Sequence, residues 1–399
     1  MKLKNTFAVL LSAVMILGLL AACTNNSADT IEPVTPPTAT EYTPNEDATT
    51  QQTADRIRPT PLDEIHGVDF DTAFDFFAPD TAMIHVGDFT VSWEELFFLI
   101  HGNIVTIVET LGTLPRFSDM AMMGHSTYED SIMRFAVDNS LQFKAYEYGA
   151  RELGITLTMN EVQVLETTVQ EMILSAGGEQ ELINVLWRNS GIQSLDLFRY
   201  MLLVEFLPMN IFHGVFGANG ETITDEQVAE TFPVDEYLFA KHIILLNDTE
   251  NPATPRTQLG ELLTQLRNYT GDDLEGLFTE LMVEHSQDHG GLAMFPNGYL
   301  FRDGDMEQPF TEAAKLLEIG EISEIIETTS GYHIIMRLPI NFDVAPIGDA
   351  LAGNPNSVRF NLALVKFDAL LESWINDLPV EFTPEFESIN LSEMFIWHD

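Results

Sequence analysis

Two histidines inside short apolar runs constrain what the centre of this 399-residue chain can fold into. His242 lies in the run 240–245 and His333 in the run 330–335, and both runs contain adjacent isoleucines. Such runs are typical of buried strands, and an ionisable ring buried there needs a hydrogen-bonding partner. The segment 237–339 therefore predicts a small sheet whose histidines have a structural or a chemical role.

The same segment has helical patterns between its strands. A small sheet with helices on its faces fits this order of elements. We predict strands over 237–246, 322–326 and 331–338, and helices over 257–268, 274–284 and 311–317.

A glycine turn and three spaced residues complete the pattern. The Gly-Gly turn at 290–291 follows the first histidine, and Met306, Pro309 and Phe310 precede the second. This order resembles the parvulin family of peptidyl-prolyl cis-trans isomerases. The resemblance implies the parvulin fold, in which the first and last strands lie side by side and bring the two histidines close together.

The resemblance also implies the residues of an active site. In this family an apolar floor grips the proline ring, and polar side chains surround it. The implied substrate-binding residues are Leu292, Phe295, Met306 and Phe310, and the implied catalytic residues are His242, Asp288, Thr328, Ser330 and His333.

Each of these residues has a plainer interpretation. The four apolar residues could be ordinary core, because apolar residues at helical spacing usually are. The histidines could only hydrogen-bond to each other and lock two strands together. Asp288 could be a turn residue. These alternatives stay open at the level of sequence.

The rim of the implied site departs from the family pattern. Only His289 separates Asp288 from the glycine turn, so the loop there is short. After the two glycines the family's Asp is missing, and Ala293 replaces its last glycine. The stretch 247–255 carries two acidic residues and no base, which disfavours a phosphorylated substrate.

Isomerisation of a Xaa-Pro bond makes few chemical demands. Amide resonance sets a barrier of roughly 18–20 kcal/mol, and a dry apolar pocket that favours the twisted amide lowers it. The reaction needs no nucleophile, metal or cofactor, and none is predicted. His285 and His289 are four residues apart but lack a third ligand nearby, so they do not predict a zinc site.

The N-terminus has the pattern of an export signal. Two lysines precede an apolar run at 7–22, which is typical of a signal peptide rather than a permanent membrane span. The run ends in Leu-Ala-Ala-Cys, which resembles the bacterial lipobox. We predict a lipoprotein signal peptide over 1–22 and a lipid anchor on Cys23, the only cysteine. An uncleaved anchor helix is the alternative.

Residues 23–80 are predicted to form a disordered tether. The stretch 24–61 is rich in Thr, Pro, Asn, Asp and Glu and has almost no large apolar residues. Such a composition cannot bury enough surface to offset its chain entropy. The prolines extend the tether and hold the folded body away from the bilayer.

The chain is strongly acidic, with 18 Lys and Arg against 62 Asp and Glu and a formal charge of −44. This charge argues against binding of nucleic acid and against a polybasic membrane patch. It favours basic unfolded clients, or it only reflects the habitat of the host, and both interpretations stay open.

Helical patterns flank the central segment on both sides. Ser92 with Glu95 forms a capping box, and a second box begins at Thr127. An apolar stripe over 357–376 needs a partner, so we predict that it packs on the N-terminal helices. The predicted fold class is α+β, with a parvulin-like small sheet flanked by helices and inserted in a mainly helical chaperone domain. The predicted bounds are 81–234 for the N-terminal helical part, 235–340 for the isomerase domain and 341–399 for the C-terminal segment.

This layout resembles PrsA-like and SurA-like extracytoplasmic foldases. The resemblance implies a lipid-anchored protein on the outer face of a bacterial cell membrane. Its partners would be unfolded exported polypeptides with Xaa-Pro bonds, which it would bind and isomerise, and a homodimer is left open. The alternative is a non-catalytic holdase with a degenerate parvulin domain. A solute-binding lipoprotein would need two α/β lobes, and only one sheet-bearing block is predicted.

Overall fold

A computed structural model describes residues 59, 68–121, 126–248, 250 and 253–395. The signal peptide and Cys23 lie outside the described residues. The chain divides into two compact units, one formed by Met1–Gly214 with Ala369–Asp399 and the other by Val215–Asp368. The first unit is thus built from both ends of the chain, with the second inserted between them, as the predicted fold class requires.

The first part of the chain is mainly helical. Its elements are helix α1 (Phe70–Phe74), strands β1 (Ala82–Val86) and β2 (Phe89–Ser92), and helices α2 (Trp93–Leu111), α3 (Tyr128–Leu153), α4 (Met159–Ala176), α5 (Glu179–Ser190) and α6 (Leu195–Phe216).

The rest of the chain alternates strands and helices and ends in short elements. The elements are α7 (Asp225–Ala229), β3 (Tyr237–Leu246), α8 (Ala253–Arg267), α9 (Leu274–His285), α10 (His289–Met294), β4 (Tyr299–Arg302), α11 (Gln308–Leu316), β5 (Ile326–Glu327), β6 (Gly331–Leu338), α12 (Ile347–Leu351), α13 (Val358–Asp377), β7 (Val380–Phe382), α14 (Pro384–Glu387) and α15 (Leu391–Met394). A single 3₁₀ turn, Val234–Glu236, precedes β3. In the described part of the chain, no helix combines the length and the apolarity that crossing a bilayer would demand.

Helix α1 corrects the predicted end of the tether at residue 80. Phe70 and Phe74 of this helix are buried. The indole N–H of Trp93 donates to the Phe74 carbonyl at 2.7 Å, and that of Trp187 donates to Asp71 at 3.0 Å. The tether therefore does not extend to residue 80, because the phenylalanines of α1 gain stability by packing in an aromatic core.

The C-terminal segment returns to the first unit. Strand β7 pairs antiparallel with β1, with Ile84 opposite Phe382, and completes a three-stranded sheet of order β2-β1-β7. Trp374 of α13 packs against α3, where a Cβ atom on Gly149 would lie 2.1 Å from the indole. The prediction that this helix packs on the N-terminal helices agrees with this contact.

The second unit contains a four-stranded antiparallel sheet of order β4-β3-β6-β5. The sequence analysis missed β4 and treated helix α10 as loop. The strand predicted over 322–326 is displaced to Ile326–Glu327, and Ile322 forms only an isolated bridge with Met336. The reason lies at Ser323, whose hydroxyl accepts the Ile335 N–H at 2.9 Å in place of a backbone carbonyl.

Strand β3 is buried on both faces and separates two environments. Side chains alternate along a strand. Lys241 therefore points to one face, where its ammonium donates to Glu275 and Thr279 of α9 at 2.6 and 2.9 Å. His242 points to the opposite face, which α11 covers.

Candidate functional site

The register of β3 and β6 brings the two histidines together. His242 lies opposite Ile335, and His333 lies opposite Ile244. The two imidazoles are therefore diagonal neighbours on one face of the sheet. Their Nδ1 atoms are 3.1 Å apart, and their rings are nearly parallel, at 14°. Both residues are buried.

Asp288 lies beside this pair. Its Oδ2 atom is 3.2 Å from Nε2 of His242 and accepts the hydroxyl of Tyr299 at 2.5 Å. Its Oδ1 atom accepts the N–H of Gly291 at 2.9 Å, so the same carboxylate caps helix α10. The turn-residue interpretation and the site interpretation of Asp288 therefore hold together.

Backbone pairing to β3 fixes the position of Asp288. The N–H of Gln287 donates to the carbonyl of Ile244 at 2.9 Å. The hydroxyl of Ser286 accepts the Ile244 N–H at 3.2 Å, and the Gln287 side chain accepts the Leu246 N–H at 2.7 Å. The chain thus runs along the part of β3 that β4 leaves unpaired just before it reaches Asp288.

Gly291, in the first turn of helix α10, has a steric role. A Cβ atom at this position would lie 1.8 Å from the Tyr299 hydroxyl and 2.3 Å from Oδ2 of Asp288. Any side chain here would force the tyrosine and the carboxylate apart. The contact between Tyr299 and Asp288 therefore requires glycine.

Thr328 contacts the far side of the histidine pair, whereas Ser330 does not. The Thr328 hydroxyl is 2.8 Å from Nε2 of His333. Ser330 is exposed, and its backbone N–H donates to the Thr328 hydroxyl and to the carboxylate of Glu307. Of the five predicted polar residues, the structure joins four in one chain of hydrogen bonds and leaves Ser330 at its edge.

Asp288 is ionised, and this fixes which residue donates in its hydrogen bond with His242. The hydrogen bond from His242, together with those from Tyr299 and Gly291, holds the Asp288 pKa below its usual range against the effect of burial. A carboxylate only accepts, so His242 donates from Nε2 to Asp288.

Burial keeps His333 neutral near pH 7. Desolvation, assisted by the neighbouring His242, lowers the pKa of His333 to about 4. Burial and the hydrogen bond to Asp288 raise the pKa of Tyr299 above its usual value, so its hydroxyl keeps its proton. Neutral His333 and an uncharged Tyr299 hydroxyl therefore accompany the ionised Asp288 in this site.

Phe310 provides the apolar floor beneath the histidines. Its ring is 5.3 Å from that of His242 and 5.4 Å from that of His333, in edge-on contacts, and only 2 % of the residue is exposed. Met306 is half-buried and packs against the same cluster of core residues. Met306 thus lies where the core meets the surface.

The other two predicted apolar residues differ in exposure. Phe295 is buried, and its ring packs 5.2 Å from that of Tyr299 within the core cluster. Leu292 is half-buried. The core interpretation therefore holds for Phe295 and Phe310, while Leu292 and Met306 remain accessible to a ligand.

Two residues of the site were missed by the sequence analysis. Tyr299 donates to Asp288, and Glu307 accepts hydrogen bonds from the turn that carries Thr328. The alternation of Tyr299 and Phe301 after a glycine was a signal for strand β4. Glu307 gave only the weak signal of a charged residue between Met306 and Phe310. Across the residues that the structure describes, no three His, Cys, Asp or Glu side chains converge as metal ligands would.

Comparison with known proteins identifies the segment that carries this site. Residues 242–338 match the family model of the PPIC-type PPIase (rotamase) domain. The foldase protein PrsA of Geobacillus kaustophilus is 25% identical over 208 residues, which are 51% of this chain and 60% of that protein. PrsA of Halalkalibacterium halodurans is 37% identical over 121 residues, 29% of this chain and 32% of that protein.

A chaperone and a solved structure extend the comparison. The chaperone SurA of Nitrosococcus oceani is 31% identical over 153 residues, 38% of this chain and 33% of that protein. The crystal structure of PrsA from Bacillus subtilis is 16% identical, covers 65% of this chain and 91% of its own, and has a TM-score of 0.28. The chain thus spans between about a third and three-fifths of the length of these curated relatives. Residues 242–338 form a PPIC-type domain of the parvulin family.

Proposed function

We propose that this chain is a foldase whose parvulin domain isomerises Xaa-Pro bonds in exported polypeptides. The observation that carries the proposal is the hydrogen-bonded pair of His242 and His333 above Phe310 and Met306. His333 is neutral near pH 7. Each ring nitrogen of the two histidines already has a hydrogen-bonding partner, so none is free to act as a general base. This environment suits a reaction that needs no proton transfer.

The chemistry follows from the geometry of the amide. Rotation about the Xaa-Pro bond breaks amide resonance, and the carbonyl oxygen loses negative charge as the bond twists. A slot lined by the accessible Met306 and Leu292, with the buried Phe310 as its floor, would desolvate the bond and favour the less polar, twisted state. The hydrogen bonds that run from Asp288 through the two histidines to Thr328 keep both imidazoles in one orientation. The wall of the slot is therefore rigid.

The finer parts of the proposal concern clients and location. The helical unit would hold unfolded segments while the parvulin domain acts on their prolines. Lipidation at Cys23 would retain the protein on the outer face of the cell membrane. Mass spectrometry of the membrane fraction tests this directly, because a diacylated N-terminal cysteine is expected there and an unprocessed N-terminus would contradict it.

The activity is tested with the unlipidated chain from residue 24 onward. Exchange NMR of an Ala-Pro peptide should show accelerated cis-trans exchange, and refolding of a protein limited by proline isomerisation should be faster. Met306→Ala should lower both rates. A wild-type chain that accelerates neither process would overturn the isomerase function.

One observation favours a second function, that of a holdase without catalysis. The side chain of Phe310 is almost fully buried under the two imidazoles, so part of the predicted slot is filled by the protein itself. A holdase would suppress aggregation of an unfolded client without accelerating proline exchange. The same pair of assays therefore separates the two functions.

A further inference from the structure

Glu307 connects the two sides of the slot. Its backbone carbonyl accepts the N–H groups of Phe310 and Thr311 at 3.0 and 3.1 Å, and so begins helix α11. Its carboxylate accepts the backbone N–H of Thr329 at 2.8 Å and the Thr329 hydroxyl on one oxygen, and the N–H of Ser330 at 3.2 Å on the other. One residue therefore joins the helix that carries Phe310 to the turn between β5 and β6.

That turn sets the position of Thr328. The Thr328 N–H donates to the Gly331 carbonyl at 2.8 Å, and its hydroxyl accepts the N–H groups of Ser330 and Gly331 at 3.3 Å each. These contacts aim the hydroxyl at Nε2 of His333. A shift of the turn would therefore break the hydrogen bond that orients His333.

The charge of Glu307 also acts on the histidine pair. Hydrogen bonds from Thr329 and Ser330 lower the pKa of Glu307 to about 2, so the carboxylate is ionised at physiological pH. Its negative charge raises the pKa of His333, although burial has the larger, opposite effect. Glu307 thus acts on His333 in two ways: through the hydrogen bonds of the turn that carries Thr328, and through the electrostatic effect of its negative charge.

We propose that Glu307 is a positioning residue of the slot, which holds the Thr328 hydroxyl against His333 and keeps Phe310 beneath the histidine pair. The inference rests on the proposed isomerase function of the same site. It assigns to Glu307 no contact with the substrate. Its effect on turnover acts through Thr328 and His333.

The test compares wild type with Glu307→Gln and Glu307→Ala. Asp273→Asn is the matched control, because Asp273 caps helix α9 by accepting the Gly276 N–H at 2.7 Å and is also in the second unit. Loss of the charge-assisted hydrogen bonds should lower kcat/KM for an Ala-Pro peptide about tenfold in Glu307→Ala, and less in Glu307→Gln, which keeps one acceptor oxygen. The control should leave kcat/KM unchanged.

A second measurement separates positioning from general stability. The ¹⁵N chemical shifts of the His333 ring report its tautomer and its titration. Both variants should change the ¹⁵N chemical shift of His333 Nε2, which lies 2.8 Å from the Thr328 hydroxyl, and move the His333 titration to lower pH, whereas the control should do neither. Glu307→Gln should stay folded even if Glu307→Ala does not.

The outcomes are distinct for the two proposals. Lower turnover with an unchanged His333 tautomer and titration would assign Glu307 a general stabilising role and overturn the inference. Unchanged turnover in a folded Glu307→Gln variant would also overturn it. If wild type does not accelerate exchange, the proposed function fails, but the ring shifts of His333 still decide whether Glu307 positions it.

Discussion

The imidazoles of His242 and His333 meet Nδ1 to Nδ1 at 3.1 Å across 91 residues of sequence. Asp288 and Thr328 occupy the two outer ring nitrogens at 3.2 and 2.8 Å. All four ring nitrogens therefore have a partner, which satisfies the hydrogen-bonding needs of two buried histidines. These hydrogen bonds fix the orientation of both rings, so the histidine pair forms a rigid wall for the proposed proline slot.

Met306→Ala should lower kcat/KM about tenfold with little loss of stability. Met306 is only half-buried, so its removal takes apolar surface from the slot without opening a large cavity in the core. Leu316→Ala is the control, because Leu316 ends helix α11, which begins just after Met306, and is 86 % exposed. Exchange NMR on an Ala-Pro peptide measures the effect. Equal rates in the two variants would show that Met306 does not line the slot.

Tyr299→Phe should destabilise the chain by about 1–3 kcal/mol, because a charged acceptor loses one of its hydrogen bonds. The same change should raise the pKa of Asp288, since the Tyr299 hydroxyl helps to lower it. Tyr332→Phe, on a half-buried tyrosine of β6, is the control. Urea unfolding at pH 7 gives the stabilities, and equal stability of wild type and Tyr299→Phe would contradict the role assigned to this hydroxyl.

The stability of the second unit should fall as the pH drops from about 6.5 to about 4. In the unfolded chain a histidine binds a proton near pH 6.5, whereas burial lowers the pKa of folded His333 to about 4. The unfolded state therefore binds more protons in this window, and the contribution of His333, which is fully present above pH 6.5, is lost progressively. The expected loss is up to about 3 kcal/mol, at ~1.4 kcal/mol per pKa unit.

His333→Gln isolates this effect. The difference in unfolding free energy between wild type and His333→Gln should change across the window and level off below pH 4. His285→Gln, at a more exposed histidine, is the control and should run parallel to wild type. A difference that stays constant from pH 7 to 4 would show that His333 titrates alike in both states.

Lys144→Met should destabilise the helical unit by about 3–5 kcal/mol. The Lys144 ammonium is buried and donates to Glu95 at 3.2 Å, to Glu147 at 2.9 Å and to the Tyr200 hydroxyl at 2.9 Å. The substitution leaves the half-buried carboxylates of Glu95 and Glu147 without their counter-charge. The control is Arg199→Met, which breaks a more exposed pair with Glu166 and should cost less than about 1 kcal/mol. Equal losses in urea unfolding would contradict the prediction.

Peptides with lysine before the proline should be better substrates than peptides with glutamate or phosphoserine there. Asp288 and Glu307 are both ionised, and Arg256 on the neighbouring helix is already paired with Glu327 at 3.8 Å. We expect a difference in kcat/KM of about threefold, since an exposed ion pair contributes up to about 1 kcal/mol. High salt should shrink it by screening. A salt-independent preference, or a preference for phosphoserine, would refute the electrostatic explanation.

Local sequence patterns predicted most elements of the fold. Short apolar runs located strands β3 and β6, and the capping box of Ser92 and Glu95 is present as predicted. Strand β4 was missed because it has only four residues and lies inside a segment that resembled a long loop. Strand β5 was misplaced because the Ser323 side chain substitutes for a backbone group, which no periodicity reveals.

The candidate site was predicted in part. The family resemblance supplied His242, Asp288, Thr328 and His333, which the structure joins by hydrogen bonds. It also supplied Ser330, whose exposed position depends on how the turn is held. It could not supply Tyr299, because that contact depends on the register of β4 against β3 and on the absence of a side chain at Gly291.

The sequence alone determined the acidic character of the chain and the presence of two histidines in apolar runs, and it predicts an export signal at the N-terminus. These properties depend on composition and on near neighbours, so they can be read without coordinates. Only the tertiary structure decided that Phe310 is buried while Met306 reaches the surface, and that Glu307 holds the turn of Thr328. Burial and long-range hydrogen bonds depend on how strands align and how helices pack on them, and residues distant in sequence set that packing together.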